Sequence, residues 1–85
     1  MVVLDPMEVF PGIMMIPDVC GGKPCIAETS VDVATVVGAL GIGQSFADVQ
    51  EVYQLSYEQV LTALRYASYV TDHLPLRVPK NPISS

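Results

Sequence analysis

The sequence predicts a mainly α fold: a helix-turn-helix core of three helices, preceded by short β-strands or a β-hairpin. Three observations predict it. Residues 1–31 are rich in Pro, Gly and β-branched side chains, with short apolar runs bounded by turn formers. From Asp32 onward the apolar spacing changes to threes and fours, the period of a helix. Ser45 and Ser56 each stand three residues ahead of a side chain able to close a helix cap, Asp48 and Gln59.

The strand runs are Val2-Val3-Leu4, Ile13 to Ile16, and Cys25-Ile26. Asp32 is the natural N-cap of the first helix, whose apolar face is Val33, Val36, Val37 and Leu40. Gly41-Ile42-Gly43 ends it. Ser45 with Asp48 opens a second helix of about two turns, with Phe46, Val49, Val52 and Tyr53 as its apolar stripe. After a tight connection at Gln54-Leu55, Ser56 and Gln59 open a third helix. Its expected buried stripe is Val60, Leu61, Leu64, Ala67 and Thr71, with Glu58, Thr62, Arg65 and Tyr69 on other faces. Pro75, Pro79 and Pro82 make the remainder an extended tail. The expected layout is an N-terminal strand or arm over residues 1–12, a helix-turn-helix domain over 13–74 and a proline-rich tail over 75–85.

A chain of 85 residues suits one domain, and at this size only about 60% of the unfolded surface is buried, so an oligomer or a partner would add stability. Apolar segments in the strand region exceed what a short three-helix core covers, which leads to the expectation of a homodimer. A hydrophobic content of 51% excludes a disordered chain. Its apolar stretches are too short and too interrupted to cross a membrane. Met1 is followed by Val-Val-Leu-Asp with no basic leader, so the expected compartment is the cytoplasm, with reduced thiols.

The formal net charge is −5. Residues 12–74 carry Asp18, Glu28, Asp32, Asp48, Glu51, Glu58 and Asp72 against only Lys23 and Arg65; Arg77 and Lys80 lie in the tail. Nucleic-acid binding draws on Lys and Arg to neutralise phosphates, so this balance weakens that role. If the third helix read DNA, Tyr57, Gln59, Thr62 and Arg65 would be its contacts, with Glu58 repelling phosphate among them; these four and Lys23 are the residues expected to face DNA or a partner.

The segment Cys20-Gly21-Gly22-Lys23-Pro24-Cys25 concentrates both cysteines, two of the six glycines and one of four cations. A structural zinc site needs four ligands, and His73 is the single histidine beyond these two thiols. C-x-x-C redox spacing is absent. A phosphate loop would run straight from Lys into a helix, whereas Pro24 follows Lys23 here. What remains is a structural turn: two glycines supplying positive φ, Pro24 fixing the exit, and two cysteines packing as small apolar residues. No cofactor is expected. His73, alone near a helix end and without a nucleophile partner, gives no reason to expect an enzyme.

The run Pro17 to Ile26, with Thr29, the Val33 helix, the Gly43-x-Ser45 turn, and Leu55-Ser56-x-Glu58-x-Val60-x-x-Ala63-Leu64-x-Tyr66-Ala67, resembles family 433 of the domains of unknown function, from about Ile13 to Val70. The resemblance implies a homeodomain-like helix-turn-helix core. It also implies an antitoxin of the VapB type, and hence a partner toxin of the PIN-domain ribonuclease class. Where the family usually continues I-R-G-T-R-I-P-V, this chain reads Ile26-Ala27-Glu28-Thr29-Ser30-Val31-Asp32-Val33, losing both arginines and gaining an acid. Strong phosphate donors are thereby removed. The expectation is an antitoxin-like protein that neutralises such a toxin, with weak or absent DNA binding. A protein-interaction module without a toxin, and a DNA-binding regulator, stand as the alternatives.

Overall fold

The computed structural model describes residues 6–73. The strand expected at Val2-Val3-Leu4 and the proline-rich tail lie outside the described residues. Three strands come first: β1 (Met7–Phe10), β2 (Ile13–Met15) and β3 (Pro24–Ile26), forming one antiparallel sheet in the order β1-β2-β3. Residues Pro11 and Gly12 join β1 to β2, with Gly12 at φ 86°, so the hairpin crosses the expected boundary at residue 12. The register pairs Met7 with Met15 and Phe10 with Ile13, with a bulge between Glu8 and Phe10. On β3, Ile26 pairs with Ile13, and both side chains are buried.

β1 gives only a brief signal in the sequence: Met7-Glu8-Val9 alternates, but Phe10 follows Val9 directly and the run is four residues long. Its local cue was instead the turn chemistry of Pro11-Gly12, with Pro ahead of a positive-φ glycine. The Glu8 carboxylate strengthens that turn by accepting the Gly12 N–H at 3.1 Å.

The three helices are α1 (Val33–Gly41), α2 (Phe46–Tyr53) and α3 (Tyr57–His73), and each begins at the cap read from the sequence. Asp32 accepts the Thr35 N–H at 3.2 Å and the Thr35 hydroxyl at 2.6 Å. α1 ends in a Schellman motif, with Gly43 at φ 103° and its N–H donating to the Leu40 carbonyl, while the Gln44 N–H donates to the Ala39 carbonyl. Ser45 and Asp48 form a complete capping box, and Ser56 and Gln59 exchange the same pair of bonds at 3.1 and 2.8 Å. Between α2 and α3 the chain reverses through Gln54, in the left-handed region at φ 58°, while Leu55 drops into the core.

The core joins all the helices to the inner strands: Ile13, Ile26, Val33, Val36, Ala39, Val49, Leu55, Val60 and Ala63. Two stripe assignments change. Val52 is 63% exposed, because one residue's rotation of roughly 100° carries it away from Tyr53 and the inward face of so short a helix. Thr71 is exposed although it lies in line with Val60 and Ala67, because α3 has 17 residues and α1 only 9. At about 1.5 Å per residue, α3 outruns the helix it packs on by roughly 12 Å. Ala63, outside the expected stripe, is fully buried.

Candidate functional site

The turn read as structural is built from left-handed backbone. Cys20, Gly21 and Gly22 take φ of 56°, 62° and 80° in succession. The Gly22 N–H donates to the Val19 carbonyl and the Lys23 N–H to the Cys20 carbonyl, both at 3.0 Å. The two glycines supply this geometry without steric cost, whereas Cys20 carries a Cβ into a region that costs an L-residue about 1–2 kcal/mol. Its thiol is partly covered and meets that of Cys25, which is fully buried in β3. Burial first, then the hydrogen bond with Cys25 and the nearby charges of Cys25 and Asp32, push the Cys20 thiol up to about 11. A thiol so placed is protonated near neutral pH, and both nucleophilic attack and metal ligation need the thiolate. Among the described residues no three His, Cys, Asp or Glu side chains converge to hold a metal ion.

The turn delivers Lys23 and Pro24 to the end of a groove of about 290 Å³ between α1 and α3. Val33, Ala34 and Val37 form one wall, and Tyr66, Ala67, Val70 and Thr71 the other. Asp32 sits at the rim beside Lys23. The Thr35 hydroxyl, first, and then the cap amide and the Lys23 charge hold the Asp32 carboxyl below the usual carboxylate range, against the opposing effect of its partial burial. The groove joins side chains of α1 and α3 that are about thirty positions apart in the chain, which no local pattern displays.

The four residues expected to face DNA do not form one free surface. Thr62 is half-buried beneath the β1–β2 turn, where its Cγ2 would lie 2.8 Å from a Cβ placed on Gly12. Gln59 is half-buried and bound into the α3 cap. Tyr57 is 55% exposed but leans on Phe46, their rings 5.4 Å apart. Arg65 is exposed and lies 3.6 Å from the Glu58 carboxylate. The fifth residue expected to face a partner, Lys23, is exposed at the groove rim.

An aromatic chain also escaped the sequence reading. Phe10 of β1 packs edge-on against Tyr66 at 5.5 Å and tilts against Tyr69 at 5.3 Å; Tyr69 in turn lies 4.1 Å from the His73 ring. The His73 Nδ1–H donates to the Tyr69 carbonyl, with the two atoms 2.8 Å apart, at the C-terminal end of α3. The spacing Tyr66, Tyr69, His73 along one helix face was visible; its partner Phe10 came from a strand that was not.

These features define a small α-rich domain with a three-stranded sheet braced against its longest helix and a groove left open beside it. The chain belongs to the family described as "Protein of unknown function (DUF433)", whose model matches residues 13–67. The crystal structure of Rv2018 from Mycobacterium tuberculosis is similar, at 31% identity and a TM-score of 0.57. That match covers 61% of this chain and 24% of the Rv2018 chain, so this protein corresponds to about a quarter of that one's length. A comparison with curated proteins finds no match. Among the described residues no helix is long and apolar enough to cross a membrane.

Proposed function

We propose that this protein is antitoxin-like: a homeodomain-like helix-turn-helix unit, cytoplasmic and dimeric, that binds and neutralises a partner toxin of the PIN-domain ribonuclease class, with weak or absent DNA binding. One observation carries the reading, the charge of the exposed α3 stripe. Glu58, Arg65 and Asp72 recur at seven-residue intervals and so run along one side of the helix, drifting by only about 20° per repeat. The single cation among them is paired with Glu58. Asp48 and Glu51 are exposed on α2. A helix that enters a DNA groove meets phosphates on both sides, and this surface answers them with acid. A ribonuclease holds a polyanion with cations, so an acidic protein surface has the charge to cover such a cleft.

The reading is tested by co-purifying the protein from its host and assaying any captured ribonuclease with and without it. Suppression of cleavage by the wild-type chain, weakened in Glu51→Lys/Glu58→Lys, is the expected result. In parallel, the isolated protein is titrated against its own upstream DNA at increasing salt. Tight, sequence-specific, salt-sensitive DNA binding, together with no captured nuclease, would overturn the proposal in favour of a regulator.

A further inference from the structure

The groove between α1 and α3 is a second feature of this domain, meeting the acidic stripe only at Asp72, and it calls for an apolar occupant. We propose that it seats the chain's own segment Leu74 to Lys80, so that the protein carries a built-in cover for this face. The inference stands on the groove and the sequence, and does not depend on the identity of any partner.

Position is the first argument. Among the described residues the groove wall reaches Val70 and Thr71 on α3, and residue 74 follows Thr71 by only three positions in the chain. In a proline-rich extended chain at about 3.1 Å per residue, five residues cover roughly 15 Å. The wall from Tyr66 to Thr71 needs only about 8 Å at the helical rise of 1.5 Å. The segment is therefore long enough to double back along the whole wall.

Chemistry is the second. Leu74, Leu76 and Val78 supply apolar side chains for walls made by Val37, Ala67 and Val70. Pro75 and Pro79 lack an N–H, so two backbone donors that would be left unpaired against an apolar wall are absent. Charge is the third. Of the chain's nine acids only Asp5, and of its four cations Arg77 and Lys80, lie outside residues 6–73. The described domain thus holds eight acids against Lys23 and Arg65, and half of the chain's cations sit in the segment that starts beside the groove. Asp32 on the groove rim and Asp72 next to Thr71 are the carboxylates available to them.

The test uses the full-length chain. A nitroxide is attached at Asn81→Cys, just beyond the segment; Cys25 is buried and the Cys20 thiol is protonated, and mass analysis verifies single labelling. Paramagnetic broadening of backbone amides should be strongest at Val37, Ala67 and Val70, and weak at Ile42 and Glu51. It should disappear in Leu76→Asp/Val78→Asp, with the amide spectrum of residues 6–73 otherwise intact. Diluting the labelled, isotope-enriched chain into excess unlabelled protein separates the sources. Broadening that survives dilution is the expected result. Broadening lost on dilution would assign the groove to a second copy and overturn the intramolecular assignment, as would broadening spread evenly over the surface.

Discussion

A Cβ placed on Gly12 would lie 2.8 Å from Cγ2 of Thr62, closer than side-chain atoms pack, so the β1–β2 turn rests directly on α3. This contact takes a residue that reads as a DNA contact in the sequence and makes it part of the fold. The Gly12 carbonyl also accepts the Ala27 N–H at 2.9 Å, tying the turn to the loop after β3.

Gly12→Ala should therefore destabilise the protein by about 2 kcal/mol or more, combining strain at φ 86° with overpacking. Thr62→Ser removes the crowded methyl and should recover roughly 1 kcal/mol in the Gly12→Ala background while recovering nothing in the wild type. Denaturant unfolding of the four proteins measures this coupling. Additive effects would show that the loss comes from the backbone alone.

Glu28 stands where the family pattern carries glycine, and it is the third residue of a turn from Ile26 to Thr29, at φ 67°. Glu28→Gly should raise stability by about 0.5–1 kcal/mol, the relief of left-handed strain less the added freedom of the unfolded chain. Thermal melts of the pair would reveal it. An unchanged or lowered midpoint would mean that the glutamate side chain makes a compensating contribution.

In the Cys20–Gly22 turn, a Cβ on Gly21 meets nothing within 4 Å, so a substitution there reports backbone strain alone. Gly21→Val should cost on the order of 1–2 kcal/mol and Gly21→Asn less, because Asn tolerates the left-handed region. Lys23→Ala should be nearly silent, since Lys23 is exposed and its φ is −80°. Equal losses at Gly21 and Lys23 would refute the backbone account.

The two pKa shifts give stability opposite dependences at the two ends of the pH scale. The Asp32 carboxyl is depressed by the Thr35 hydroxyl, so its contribution is present above the unfolded value of about 3.9 and is lost as pH falls through the lower folded value. Asp32→Asn should flatten the acid limb of the stability curve. For Cys20, raised to about 11 chiefly by burial, the stabilisation is present below the unfolded thiol value and is lost as pH rises toward 11. Alkylation of the native protein should accordingly be slow at neutral pH and accelerate across the alkaline range. Fast modification of Cys20 at pH 7 would contradict this environment.

What the sequence determined by itself was whatever closes within a few residues. The caps at Asp32, Ser45 and Ser56 and the stop at Gly43 were legible because donor and acceptor lie within three to five positions. The left-handed glycines at 21 and 22 were legible for the same reason: their constraint is their own backbone. The family was legible too, through a block of local turn chemistry. The tertiary structure alone decided which faces were free. Thr62 went under a hairpin whose first strand is only four residues long, and Gln59 was taken up by its own cap and half-buried. The groove arose where side chains of α1 and α3, distant in the chain, were brought face to face. Exposure is a property of what arrives from elsewhere in the chain, and helical periodicity can say which residues share a side without saying what will cover it.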